Sequence, residues 1–264
     1  MWYQNLSHFK SVCGHEVNGS WYPRVTKILD IKSKPGLDTF FREVGNYLDA
    51  ENIKNKSAEE GTAMHNIIEK LILGEEVSIP QSIEAAVSAF RKFKGERKIE
   101  FRGDFVERQI WSFRHRYAGT IDALAYIDGK CGVLDIKTSA GFYPEYNLQT
   151  AAYLSALQEF SLRKTLNLTE DVTTRWILRI DQYRICARCS ATVREKGGRA
   201  KIKAASAGHL SGCGLADHDW GEPQGVVELR EFPYNTYKDM KAFVAAKILW
   251  EWENEYWLKQ AGYL

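Results

Sequence analysis

Apolar positions along the chain follow two different periods, and the change from one to the other organises everything else. A hairpin comes first: His15-Glu16-Val17 and Ser20-Trp21-Tyr22 flank Asn18-Gly19, a pair suited to the positive φ angles of a type I′ turn. Helical spacing follows. Pro23 opens a short helix through Val25, Ile28 and Leu29, and Leu37, Phe40, Phe41 and Val44 recur three and four apart before Gly45. Ser57 with Glu60 three residues on reads as a capping box, followed by an apolar stripe of Met64, Ile67, Ile68, Leu71 and Ile72 that Gly74 ends. His65 sits beside that stripe. A further helix over 82–95 carries Ile83, Ala86, Val87, Phe90 and Phe93.

From about residue 104 the period drops to two. Segments 105–111, 117–127 and 131–137 read as strands of an antiparallel meander. Residues 147–160 return to helical spacing, with small Ala151, Ala152 and Ser155 allowing close packing. Segments 174–183 and 226–232 are later strands, separated by a Gly-, Ser- and Lys-rich surface excursion, and Asn235 or Thr236 caps a last helix bearing Phe243, Val244, Ile248, Trp250 and Trp257. Strands mixed with helices in this order predict an α/β fold: a central mixed sheet flanked by helices on both faces, with an N-terminal helical region. Residues 1–60, the hairpin and helical region, are expected to pack on a core at 61–264, from which 184–224 makes the excursion.

The chain has 264 residues, 44% hydrophobic and 27% charged, enough to bury a sizeable core and unlike a disordered or collagen-like chain. No uncharged apolar run reaches the roughly 18 residues of a membrane span, and the first five residues lack the basic-then-apolar layout of a secretory signal. A cytoplasmic protein with no membrane partner is expected. Five cysteines are an odd number at uneven spacing, which favours reduced thiols or a metal over a disulfide framework. The net charge of +2 conceals segregation: 85–120 carries nine Lys or Arg against four Asp or Glu, and 175–203 carries nine against two. Two basic stretches in an acidic background could make a phosphate-binding face, or could be ordinary solvated surface.

The most informative geometry is that of the hairpin closed by Asp128-Gly129. With a two-residue loop, Ile127 faces Lys130, Leu124 faces Val133 and Asp122 faces Asp135. Two carboxylates about 5 Å apart at an effective dielectric near 20 repel by about 3 kcal/mol, so one must be protonated or a cation must lie between them. Alternation puts Lys137 on the face of Asp135 while Leu134 and Ile136 point to the other side. Such a trio can hold a divalent ion against a phosphate oxygen, with Lys137 orienting an attacking water or offsetting developing charge. The same residues also suit an exposed hairpin salt bridge worth at most about 1 kcal/mol. Were the Arg114-His115 loop also two residues, Glu107 would oppose Asp122, a supporting or structural carboxylate in the row.

These residues resemble those of a known family. Gly119-Thr120-Ile121-Asp122 followed by Leu134-Asp135-Ile136-Lys137-Thr138-Ser139 is similar to the core of the PD-(D/E)XK nucleases, and within them to RecB-type nuclease domains, the mitochondrial genome-maintenance exonuclease and CRISPR-associated RecB-like exonucleases. Gly61-Thr62-Ala63-Met64-His65 resembles their Gly-Thr-x-x-His motif, and Gln149-Thr150-Ala151-Ala152-Tyr153 their Gln-x-x-x-Tyr motif. Tyr22 to Leu29 with Lys34-Pro35-Gly36-Leu37 is similar to the start of some of these exonucleases. The resemblance implies a restriction-endonuclease-like fold, with Mg²⁺ or Mn²⁺ held by His65, Asp122, Asp135 and the Ile136 carbonyl. It makes Asp122, Asp135 and Lys137 catalytic and gives Gln149, Tyr153 and Thr138 contacts to substrate; for Gln149 and Tyr153 the alternative is capping the sheet by hydrogen bonds.

Cys186-Ala187-Arg188-Cys189 is half of a zinc-knuckle pattern, which Cys213 with His209 or His218 could complete as a structural zinc site. Members of the family with an iron–sulfur cluster gather three of four cysteines toward the C-terminus. Here only Cys13 could be the remote fourth, so no such cluster is expected. The function expected is metal-dependent hydrolysis of DNA, as an exonuclease acting on single strands or free ends in repair, recombination or replication, alongside protein partners of those processes. Two alternatives stay open: a non-catalytic, zinc-containing nucleic-acid-binding module, and an endonuclease within a recombination or CRISPR-adaptation complex.

Overall fold

The computed structural model describes residues 3–205, 213–214, 217–233 and 236–264. Helix α1 (Leu6–Cys13) is capped by Asn5, whose side chain accepts the His8 amide at 2.8 Å. Strands β1 (Gly14–Val17) and β2 (Ser20–Pro23) enclose the Asn18-Gly19 turn, at φ of 50° and 77°. Helices α2 (Val25–Leu29), α3 (Pro35–Val44) and α4 (Tyr47–Leu73) follow, the last two ended by left-handed Gly45 and Gly74. The capping box at Ser57 does not form. The true N-cap is Asn46, which accepts the amides of Leu48 and Asp49, because residues 47–56 include Leu48, Ala50, Glu51, Lys54 and Lys56 and no glycine or proline that would stop the helix before Ser57. Glu60, freed from a capping role, accepts the Gly197 amide at 2.8 Å and so ties α4 to the excursion.

Helix α5 (Glu84–Glu96) leads into β3 (Ile99–Phe101), β4 (Arg108–Ser112), β5 (Tyr117–Ile121), β6 (Ala123–Ile127) and β7 (Lys130–Lys137). Then come α6 (Pro144–Leu157), α7 (Phe160–Thr165), β8 (Thr174–Ile185), the hairpin β9 (Thr192–Lys196) and β10 (Arg199–Lys203), β11 (Gln224–Glu231), α8 (Thr236–Glu253) and α9 (Glu255–Gln260). Asn235, the other candidate cap of the last helix, lies outside the described residues. Among those residues no helix is long and apolar enough to cross a membrane.

Seven strands form one mixed sheet. Its centre is β7, antiparallel to β6 in the expected register, Ile127 opposite Lys130 and Leu124 opposite Val133, and parallel to β8. Beyond them lie β3 on one side and β11 on the other, while the last residues of β8, Arg184 and Ile185, pair with β9. The expected continuous meander is broken at one residue. β4 and β5 make a separate two-stranded sheet, in the register that places Arg108 opposite Ile121, and the chain changes sheets at Asp122. The ladder of β6 and β7 ends at Ala123 and Leu134, so Asp122 and Asp135 are adjacent to it rather than a paired rung.

Alternation along the strands gives each face its own core. Ala123, Ala125, Leu134 and Ile136 pack against α4 and α5 through Ile68, Val87 and Phe90. Leu124 and Val133 face the other way, onto α1, α6 and α8 with Phe9, Ala152 and Phe243. Arg175, fully buried on β8, pins that second layer: its guanidinium donates to the Asn147 carbonyl and the Thr150 hydroxyl of α6 and pairs with Asp239 of α8. Removing one partner of a buried ion pair leaves an uncompensated charge. Asp239→Ala should therefore destabilise the protein by about 3–5 kcal/mol in urea unfolding, and the double change Arg175→Met/Asp239→Leu should recover most of that loss. A loss under about 1 kcal/mol for Asp239→Ala would show that the pair does not hold the layers together.

Candidate active site and metal-ligand clusters

The break at Asp122 creates the site. Its side chain leaves the ladder and accepts the Ile136 amide at 2.5 Å, while its carbonyl accepts the Glu107 amide at 3.0 Å. Glu107 sits at φ 48°, a left-handed conformation that costs a non-glycine residue roughly 1–2 kcal/mol. From α4, His65 enters between the two carboxylates, with Nε2 3.0 Å from Asp122 Oδ2 and Nδ1 3.4 Å from Glu107 Oε1. Asp135 is only 1% exposed. The Lys137 ammonium lies 2.8 Å from its Oδ2 as an ion pair, and among the described residues Oδ1 has no hydrogen-bond partner.

Lys137 is held from the far side by α6. Its Nζ donates to Gln149 Oε1 at 3.2 Å, and Gln149 Nε2 donates to the Tyr153 hydroxyl at 3.2 Å, one turn further along. Tyr146 presents its ring 4.9 Å from the same ammonium. Gly119 makes room for this arrangement, since a Cβ there would lie 2.5 Å from the Tyr153 ring. Thr138 is engaged by the excursion: Lys196 donates to its carbonyl at 2.5 Å and its hydroxyl at 2.7 Å, and Arg194 donates to the carbonyl at 3.0 Å.

His65, Glu107 and Asp122 offer donor atoms all within 4.8 Å of one another, a set that could hold a metal ion. Asp135 does not fall within that radius of all three. Ile136 contributes its amide to Asp122, packs its side chain in the core against α4 and also lines the cleft. Glu107 therefore stands among the donors rather than behind them, and its signal was the register of β4 and β5. Lys196, Arg194 and Tyr146 were missed by motif reading; the density of cations in 175–203 marked the segment but not which side chain turns inward. Arg175 and Arg179, from the same stretch, are consumed by ion pairs with Asp239, and with Glu228 and Asp181.

Electrostatics reflect the crowding of acids. Burial would lower the His65 pKa, but the hydrogen bond and charge of Asp122, with Glu107 and Asp135, raise it to about 9. Burial and the Asp122 charge push Glu107 up to about 7. Burial raises Asp135 to about 6, the Asp122 charge adding to it and Lys137 opposing it. Asp122 is held below its usual value, the imidazolium and the Ile136 amide overcoming desolvation. Lys137 likewise stays above its usual value because Asp135 and Asp122 outweigh burial.

A second cluster lies at the root of the β9–β10 hairpin. Cys186 and Cys189 flank a tight turn in which Ser190 donates to the Cys186 carbonyl at 2.9 Å and itself takes φ 58°. Ala187 donates to the Asp219 carbonyl at 2.8 Å, which brings His218 to 3.4 Å from Cys189 Sγ. Cys186 Sγ and Cys213 Sγ are 4.0 Å apart, near the edge of about 3.8 Å expected for a tetrahedron of 2.3 Å zinc–sulfur bonds. All four donors fall within 4.8 Å of one another and could bind a metal such as zinc. His209, the other candidate, lies outside the described residues. None of the five cysteines is in a disulfide.

The imidazole between two acids has a direct readout in metal-free protein. His65 should titrate near pH 9 by NMR in chelator. Because its folded pKa lies above the unfolded value near 6.5, its contribution of up to about 3 kcal/mol is complete below pH 6.5 and is lost as pH rises through 9. Titration at or below 6.5 would mean that no charged carboxylate faces it. No family model matches the chain, and no curated protein does.

Proposed function

We propose that this chain is a metal-dependent DNA nuclease of the RecB-like PD-(D/E)XK type, acting as an exonuclease on single strands or free ends. The observation that carries the reading is convergence. Side chains of four motifs in that family's order, His65, Asp122, Asp135 with Lys137, and Gln149 with Tyr153, come from α4, the β5–β6 break, β7 and α6 to one locality. The arrangement of an antiparallel β6–β7 pair, a following α6 and a parallel β8 agrees with a restriction-endonuclease-like core. The donor chemistry fits as well. One imidazole nitrogen and hard carboxylate oxygens suit Mg²⁺ or Mn²⁺, and of the buried Asp135 oxygens Oδ2 meets only the Lys137 ammonium while Oδ1 has no partner among the described residues.

His65, Asp122 and Glu107, with Asp135 beside them, would hold the ion. A divalent ion there supplies Lewis acidity to a phosphoryl oxygen and lowers the pKa of the attacking water. Lys137 remains an ammonium at neutral pH, so it acts as a donor that orients the water or stabilises charge on the phosphoryl oxygens, and not as a general base. Gln149 fixes the direction of that ammonium, and Tyr153 fixes Gln149. Water adds to phosphorus in line as the bond to the leaving nucleoside oxygen breaks; the water gives up one proton to solvent and the leaving oxygen takes one from solvent to become a hydroxyl.

End-labelled linear single-stranded DNA should be degraded with Mg²⁺ or Mn²⁺, spared in chelator, and spared by Asp135→Ala or Lys137→Ala, each costing at least about a hundredfold in rate. Full activity in either variant would remove the assignment. Closed circular single strands should survive, and their cleavage would make the enzyme an endonuclease.

Zinc at Cys186, Cys189, Cys213 and His218 is the second part of this reading, with a structural role because all four positions are filled by protein. Protein purified without added metal should contain about one zinc per chain by elemental analysis, and Cys189→Ser should lose it. Metal-free protein with an unchanged melting temperature would contradict a structural zinc.

A further inference from the structure

The β9–β10 hairpin has a charge pattern that the catalytic reading leaves unused. Its register sets Lys196 opposite Arg199, Arg194 opposite Lys201 and Thr192 opposite Lys203, so five cations share one face. Like charges directly across a ladder destabilise it, so such a face calls for counter-charge. Asp181 supplies it to Arg194 at 2.7 Å and Glu43 to Arg199 at 2.8 Å. Among the described residues no carboxylate forms an ion pair with Lys196, Lys201 or Lys203.

Opposite this face stands α3, whose Leu37, Phe40, Phe41 and Val44 repeat at helical spacing although no residue of the helix is buried. Between α3, α4 and the hairpin lies a cavity of about 440 Å³, with Leu37 and Phe40 on one wall and the cations on the other. Arg199 lies over the Phe40 ring at 5.2 Å. The cavity runs into the acidic cleft, because Ser57 and Lys196 line both. Lys196 stands at the junction, its ammonium on the Thr138 carbonyl and hydroxyl just past Lys137. Burial and the Arg194 charge bring its pKa down to about 8, with Asp181 and Glu60 opposing them.

We infer that this groove binds a single-stranded polynucleotide leading away from the reacting phosphodiester, Lys196 and the hairpin cations holding successive phosphates and the apolar edge of α3 receiving unpaired bases. Cations along a backbone track beside aromatic rings are the combination by which single strands are held without base pairing, and the half-buried Phe40 supplies such a ring here. A duplex offers the Phe40 wall no free base, and the volume is that of a small-ligand pocket. The inference rests on the nuclease reading only for where the strand reacts.

The test is fluorescence anisotropy of labelled oligothymidylate on the full chain, with Ca²⁺ replacing Mg²⁺. Arg199→Glu/Lys201→Glu should weaken binding at least about tenfold and flatten its salt dependence by about 0.7 for each phosphate the variant no longer neutralises. The exposed single variant Lys201→Glu should move the same way. Phe40→Ala should weaken oligothymidylate about fivefold more than an abasic strand of equal length. Lys92→Glu, on α5, is the charge control. Double-variant affinity matching that control, or equal wild-type affinity for abasic and thymidylate strands, would overturn the groove. Hydrolysis of thymidine 5′-(p-nitrophenyl phosphate) by wild-type protein with Mn²⁺ separates the two readings. Tight groove-dependent binding with no ester hydrolysis would sink the nuclease reading and support the groove; ester hydrolysis with groove-independent binding would sink the groove alone.

Discussion

Carboxylates repel, and in this protein they are forced together where water is scarce. Asp122 and Asp135 are brought close by a β-hairpin whose register two turn residues set, and Glu107 is added by a second ladder. The remaining architecture of the site answers that repulsion. The imidazole of His65, the Ile136 amide and the Lys137 ammonium each reach an acidic oxygen from a different direction, and each belongs to an element whose own packing is satisfied elsewhere. His65 can balance the charge as an imidazolium, or lose that proton to solvent when a metal cation takes its place. On the proposed reading the imidazolium stands where a divalent ion would bind, and binding such an ion would release its proton.

Helix α4 joins the parts. One face carries Met64, Ile67 and Ile68 into the sheet core, which fixes where His65 emerges. Its Gly61 passes Thr138 closely enough that a Cβ would lie 3.1 Å from the threonine hydroxyl, and its Glu60 receives the backbone of the hairpin tip. The hairpin in turn hangs from the Cys₃His cluster at the end of β8. A structural metal there would set the angle at which Lys196 and Arg194 meet Thr138, so the acidic cleft and the basic groove share a frame made of one helix and one strand end.

Much of this was legible from spacing. The register of β6 and β7 follows from Asp128-Gly129 because a two-residue turn leaves no freedom in pairing, and both left-handed helix ends follow from Gly45 and Gly74. The register of β4 and β5 also agrees with that expected, although four residues, 113–116, separate their last pair. What spacing could not show was the break at Asp122, since a strand that changes sheets keeps the same alternation. Glu107 was undervalued for the same reason: its place depends on a positive φ that nothing in its neighbours announces. Ser57 was overvalued, because a good capping sequence inside a long run of helix formers is simply absorbed. The inward turn of Lys196 is tertiary, decided by where β8 ends and by Gly197 fitting under α4.

On the proposed reading these acids are gathered for a divalent ion. Crystals grown with Mn²⁺ and measured at the manganese absorption edge test it most directly. An anomalous peak bonded to His65 and Asp122, with Glu107 or Asp135 completing the protein ligands and Lys137 still directed by Gln149, is the predicted result. Saturating manganese with no peak in the cleft, His65 still bridging Glu107 and Asp122, would contradict the account.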